Sequence, residues 1–187
     1  LKKNYDLLAE TNRELLVCHD GNSSDDKEMA ELISCEKFYY QKGDNLGDKM
    51  YNALEEVISD SKVILLGSDI FNLDKDIIEE AFDKLETHDV VINPSEDGGY
   101  FLIGMKKAIK EVFDLPSYGD SSVLENLIKV LEKNNLTYYL GRAALDIDIK
   151  EDLLYAETGY KNIKLLGAGE YNINFTFDED NMKKVLR

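Results

Sequence analysis

Lys62-Val-Ile-Leu-Leu-Gly-Ser-Asp69 decides the fold. Val63, Ile64, Leu65 and Leu66 form a continuous apolar run, the pattern of a central parallel strand covered on both faces. The run stops at Gly67-Ser68-Asp69, which puts a carboxylate at the carboxyl end of that strand. Open α/β sheets bind their ligands at that end. A second stretch answers it: Asp89-Val-Val-Ile-Asn-Pro-Ser-Glu-Asp-Gly-Gly-Tyr-Phe-Leu-Ile-Gly104. It has the order strand, acidic glycine turn, strand. Asp69 and the Asp97-Gly98-Gly99 turn are therefore expected to face one cleft, which binds a nucleotide through a divalent metal.

The flanking chain alternates strands with helices. A polar helix over 1–12 carries a thin stripe of Leu1, Tyr5 and Leu8. A strand over 14–18, a short helix over 27–33 and a strand over 38–40 follow. Gln41-Lys-Gly-Asp-Asn-Leu-Gly-Asp-Lys-Met50 is a glycine loop opening a helix with Leu46, Met50, Leu54, Val57 and Ile58 on one face. Such a loop offers backbone N–H groups to an anion, and a simple turn uses the same glycines. After Asp69 a helix to about residue 87 has the stripe Ile77, Ile78, Ala81, Phe82 and Leu85. A shorter helix is expected over 106–114. Ser122 and Glu125 have capping-box spacing ahead of Leu124, Leu127, Ile128 and Leu131. A strand over 136–140 leads to Leu145-Asp-Ile-Asp-Ile-Lys-Glu-Asp-Leu153 and a short helix. This alternation implies a largely parallel sheet with helices on both faces.

The 187 residues fit one domain with a sizeable core. A net charge of -16 and a pI near 4.5 argue against a nucleic-acid partner and against an anionic membrane surface. An acidic chain still binds a nucleotide where a metal ion bridges carboxylates and phosphates. Cys18 and Cys35 form no CxxC pair, and His19 and His88 are the only histidines, which disfavours zinc. A reduced, cytoplasmic protein is the expectation. No apolar run approaches the roughly 18 residues of a membrane span. The chain starts at Leu1 rather than Met, so targeting is not read from this end.

The candidate chemistry is carboxylate chemistry. Asp69 ends a strand, Asp97 precedes two glycines, and Asp146 and Asp148 lie between a strand and a helix. Hard oxygen ligands of this kind suit Mg2+ or Mn2+ on a diphosphate. Asp152 fits the first turn of the following helix. Gly98 and Gly99 let backbone approach a ligand closely, or close a tight turn. Tyr100 or Phe101 is expected in the core and His88 on the surface. No Ser-His-Asp or Cys-His arrangement is present.

These residues resemble an uncharacterised family within the GT-A glycosyltransferase superfamily, often labelled radical-SAM/selenodomain-associated transferases. The matching pieces are Gln41 to Met50, Leu66-Gly-Ser-Asp69, His88-Asp-Val-Val, Pro94 to Gly104 and Asp146 to Leu153, over some three-fifths of the chain. The resemblance implies an α/β, Rossmann-like GT-A three-layer sandwich with a mostly parallel sheet. It implies metal binding by Asp69 and, as in related nucleotidyltransferases, by Asp148. Gln41, Gly43 and Gly47 would lie near the base or phosphates, with Ser68, Gly98 and Gly99 beside the nucleotide. Three departures stand out. Phe71 replaces a usual proline, and Tyr118 a common tryptophan. The family's opening strand and glycine/lysine/arginine loop are not in this sequence, which begins in the helix after them: either the segment lies upstream of Leu1 or this copy has lost it.

The tail resembles something else. Leu166-Gly-Ala-Gly-Glu-Tyr-Asn-Ile-Asn-Phe175 and Lys184-Val-Leu-Arg187 are similar to the start of an aminoglycoside/choline phosphotransferase kinase-like lobe; a plain C-terminal hairpin is the alternative. The expected division is 1–160 as the GT-A domain and 161–187 as the stub of a fused kinase-like domain or that hairpin. The leading functional expectation is a metal-dependent glycosyltransferase with a nucleotide-sugar donor, a small-molecule acceptor, and Asp97 or Glu96 as base. The alternatives are a nucleotidyltransferase acting on a phosphorylated small molecule, or a catalytically degenerate scaffold.

Overall fold

The computed structural model describes residues 2–35, 37–59, 61–68, 70 and 73–143. Asp69, Phe71, Asp146, Asp148, Asp152 and the kinase-like stub lie outside the described residues. In chain order the elements are α1 (Lys2–Ala9), β1 (Val17–His19), α2 (Asp26–Leu32), β2 (Phe38–Tyr40) and α3 (Leu46–Val57). Next come β3 (Val63–Leu66), α4 (Lys75–Lys84), β4 (Val90–Pro94), β5 (Tyr100–Met105), a 3-10 turn (Lys110–Phe113), α5 (Val123–Lys133) and β6 (Tyr138–Leu140).

β1 and β2 pair in parallel as one small sheet, and the larger sheet has the order β3-β5-β4-β6. β5 runs antiparallel to both β3 and β4, while β4 and β6 are parallel. So β3, β4 and β6 share one direction and β5 alone is reversed. The cause is local: a turn of a few residues between β4 and β5 can return the chain only antiparallel, since a parallel return needs a crossover of a dozen or more residues.

Alternation along the strands builds two cores. Val90, Ile92, Ile103 and Met105 point to one face, where Leu54 of α3 and Leu127 and Leu131 of α5 cover them, with Val63 and Leu65 alongside. Val91 and Leu102 point to the other, where α4 brings Ile77, Ile78 and Ala81, joined by Leu7 and Leu8 of α1 and by Ile64 and Leu66. The result is the expected α/β arrangement with helices on both faces. The β3 run does serve both cores, but it is not central among the described residues. It pairs only with β5 and stays half-buried, and the fully covered strands are β4 and β5.

Three local expectations are corrected. The helix over 106–114 is only the 3-10 turn, because Val112 and Phe113 are adjacent buried residues with no 3.6-residue stripe around them. The strand over 14–18 begins later, at Val17, where the register with Phe38 starts. The capping box does not form. Ser122 makes no side-chain cap; its N–H and hydroxyl go to Asp120, and Glu125 pairs with Lys129 instead.

Leu127 has no exposed surface, whereas Leu140 at the end of β6 is 41% exposed. Leu127→Ala is expected to cost about 2–5 kcal/mol in chemical denaturation. Leu140→Ala should stay within about 0.5 kcal/mol of the parent chain.

Candidate functional site

Ser68 follows β3, the acidic turn follows β4 and Gly141 follows β6, and these three strands run in one direction. β4 runs out at Pro94 into a turn over 95–99. Ser95 is buried, its N–H donates to the Gly99 carbonyl at 3.1 Å, and the Gly98 N–H returns to the Ser95 carbonyl at 3.3 Å. Asp97 turns one carboxylate oxygen inward, where Oδ1 accepts from the Ser95 hydroxyl and from the Gly99 N–H (2.9 Å). Among the described residues Asp97 is thus first a turn-former, an Asp side chain bonding to backbone two residues on. Glu96 stands in the same turn, half-buried.

Gly98 is where glycine is required. Its φ is +94°, and a Cβ there would lie 2.4 Å from the Ser121 carbonyl oxygen. The Gly98 carbonyl accepts the Leu124 N–H at 3.0 Å, so the acidic turn is docked on the first turn of α5. A Cβ on Gly99 would sit 3.0 Å from the Ser95 hydroxyl.

The glycine loop ahead of α3 docks on the same segment. A Cβ on Gly47 would fall 2.2 Å from the Phe113 carbonyl and 3.0 Å from the Tyr118 ring. Gly43, at φ +136°, folds back over the first turn of α3, where Asn45 caps the helix by accepting the Asp48 N–H at 2.9 Å. Tyr118 donates its hydroxyl to the Phe113 carbonyl at 2.9 Å, and Tyr100 reaches the Met50 sulfur at 3.7 Å. Residues 113–122 therefore join two motifs that are about fifty residues apart in sequence. Burial pushes the Tyr118 phenol up to about 12 and that of Tyr100 higher still. Both stay protonated at working pH and act as donors, not bases.

Ser68 is held from the opposite side. The Asn4 amide of α1 is buried and donates to the carbonyls of Ile70 (2.9 Å) and Ser68 (3.4 Å), the two residues flanking Asp69. Gln41 belongs to the smaller sheet, where its N–H donates to the His19 carbonyl at 2.9 Å. At the far side, buried Asn93 donates to the Arg142 carbonyl at 3.0 Å, and a Cβ on Gly141 would meet that amide at 2.4 Å. This fixes the chain's exit from β6 as far as Arg142.

The sequence reading missed Asn4, Asn93 and Gly141. Asn4 shares a helix face with Leu8, four residues on, and Asn93 interrupts the apolar run Val90-Val91-Ile92. A polar residue on an apolar face is the available signal in both cases. Among the described residues no three metal-ligating side chains come together, and Asp69 and Asp148 lie outside them. The metal assignment therefore rests on the sequence. No helix among the described residues is long and apolar enough to cross a membrane.

This fold is like that of nucleotidyl and nucleotide-sugar transferases. It superposes on the crystal structure of a protein from Desulfovibrio desulfuricans G20 described as a nucleotide-diphospho-sugar transferase. The TM-score is 0.78 at 26% identity, over 87% of this chain and 73% of that one. Residues 5–120, more than half of the chain, match the model of the family described as "Uncharacterized protein conserved in bacteria (DUF2064)", and the chain belongs to that family. It is 32% identical over 136 residues to a 2-phospho-L-lactate guanylyltransferase from Methanocaldococcus sp. (strain FS406-22), which is 69% of this chain and 58% of that protein. It is 33% identical over 116 residues to the enzyme of the same name from Methanocaldococcus jannaschii, 60% of this chain and 50% of that one. The chain thus spans between half and three-fifths of these curated relatives. Their names are those of transferases.

Gly98 and Gly119 separate the two demands of the turn. Both have positive φ, but a Cβ on Gly119 meets nothing within 4 Å. Gly98→Ala is expected to lose about 1–3 kcal/mol more than Gly119→Ala, because it must also displace Ser121. Thermal or urea unfolding of the two variants reads the difference.

Proposed function

We propose that the chain is the nucleotide-binding part of a nucleotidyltransferase that transfers the guanylyl group of guanosine triphosphate to the phosphate of a phosphorylated small acid. The observation that carries this is the similarity to 2-phospho-L-lactate guanylyltransferases, found in a chain whose two glycine motifs pack on one segment. In such a transfer a phosphate oxygen of the acceptor attacks the α-phosphorus of the nucleotide. The bond from that phosphorus to the bridging oxygen breaks, and pyrophosphate leaves.

The chemistry also supports this reading over sugar transfer. An acceptor hydroxyl needs a base to remove its proton. An acceptor phosphate is already ionised at neutral pH and needs none. Asp97, with one oxygen committed to its own turn, is then free of the base role that glycosyl transfer would ask of it or Glu96. In this proposal Gln41, Gly43 and Gly47 border the base and phosphates, and Ser68, Gly98 and Gly99 form the other wall, with the N–H groups of both glycines held within their own turn. Asp69 and Asp148 would hold Mg2+ or Mn2+, which when bound neutralises charge on the pyrophosphate.

Calorimetric titration with GTP, CTP, UTP, UDP and a UDP-sugar, each with Mn2+ and with EDTA, tests the proposal. GTP is expected to bind best and only with metal. Asp69→Asn should weaken it about tenfold or more, the scale of one lost charge-assisted contact. A preference for UDP or a UDP-sugar would return the assignment to sugar transfer.

A further inference from the structure

The carboxyl ends of β1 and β2 carry a cluster that the proposed chemistry does not use. His19 closes β1, and its ring stands edge-on to Phe38 (5.7 Å) and Tyr40 (5.3 Å) of β2. The Gly21 N–H donates to its Nδ1 at 3.1 Å, and its Nε2 lies 3.2 Å from Asp26 Oδ1. A backbone N–H is always a donor, so Nδ1 carries no proton in this arrangement. Nε2 carries it and donates to Asp26. The second oxygen of Asp26 accepts the Tyr40 hydroxyl at 2.7 Å. One carboxylate at the start of α2 thus ties down the ends of both strands.

The cluster leads directly to the glycine loop. The His19 carbonyl accepts the N–H of Gln41, and Tyr40 is the residue before Gln41. Next to His19, Asp20 pairs with Lys49 of α3 at 2.9 Å, two residues beyond Gly47. The ring is faced by Asp26 from α2 and Tyr40 from β2. Asp25 borders Gly21 in the loop, and Lys49 reaches the loop from α3 through Asp20.

We propose that His19, Asp26 and Tyr40 form a proton-sensitive clasp that positions the 41–47 loop, so that protonating His19 loosens the loop and weakens nucleotide binding. The second proton can go only to Nδ1, where it meets the Gly21 N–H head-on. Asp26 keeps hold of the charged ring, so Gly21 is the partner that lets go. The loop over 20–25 then shifts, and with it the Asp20–Lys49 pair and the Gln41 bond. The effect on binding rests on the nucleotide site proposed above; the clasp itself does not.

Nuclear magnetic resonance of the 15N-labelled chain between about pH 8 and pH 5, where histidine changes charge, tests the clasp directly. The Gly21 and Gln41 amides are expected to move with the same midpoint as the His19 ring nitrogens. His19→Asn keeps an acceptor for the N–H two residues on but cannot titrate, and should abolish that transition. In parallel, GTP affinity should fall about fivefold with the same midpoint, the scale of one lost hydrogen bond, and should be flat in His19→Asn. Gly21 and Gln41 amides that stay still while His19 titrates would overturn the clasp. An unchanged pH profile of GTP binding in His19→Asn would overturn its control of the site. Absence of GTP binding at every pH would sink the nucleotide reading, while the amide titration would still decide for or against the clasp.

Discussion

The reversal of β5 is the constraint on which the rest depends. β5 pairs on both of its edges, joining β3 to β4 and so to β6. Its entry is the turn over 95–99, which must be short to return the chain antiparallel and tight enough to seat against α5. Gly98 meets both demands, with a positive φ and its Cα against Ser121. The turn that closes the hairpin therefore also puts Asp97, Gly98 and Gly99 at the carboxyl ends of the other strands. Fold and candidate site share one set of backbone bonds.

The segment over 113–122 extends that constraint to the other glycine motif. Gly47 packs on Phe113 and Tyr118 as Gly98 packs on Ser121. Both glycines are needed for packing before any ligand arrives. In the proposal a nucleotide passes beside these stretches on a side other than the one that Phe113, Tyr118 and Ser121 fill. Around this frame the charge is strongly negative, and lysines near the loop already have carboxylate partners, Lys42 with Glu56 and Lys49 with Asp20. Such exposed pairs contribute little to stability, about 0–1 kcal/mol each. In the proposal, phosphate charge is left to backbone N–H groups of the loop over 43–47 and to a metal.

Much of this was legible in the sequence, and particular residues show why. The strand-turn-strand order of 89–104 follows from an apolar run, two glycines and a second apolar run, signals that are local and do not depend on the rest of the chain. The two-faced character of Val63 to Leu66 was equally plain, yet its place in the sheet was not, because strand order is set by long-range pairing. The Ser122–Glu125 spacing misled because a nearer acceptor, Asp120, takes the serine's donors. Asn4 and Asn93 were missed for the same reason in reverse. Each bonds to backbone about fifty or more residues away, and no spacing rule reports such a partner. Gly47 and Gly98 stand out in the sequence as glycines of polar loops, but the segment on which both pack, 113–122, has no motif of its own.

In the proposed reading the loop over 41–47 and the turn over 95–99 are two walls of one site. Amide hydrogen exchange of the chain with and without GTP and Mn2+ tests it most directly. Both stretches are expected to gain protection together on adding the nucleotide, and neither in EDTA. Protection confined to one stretch, or appearing at neither while GTP binds, would contradict it.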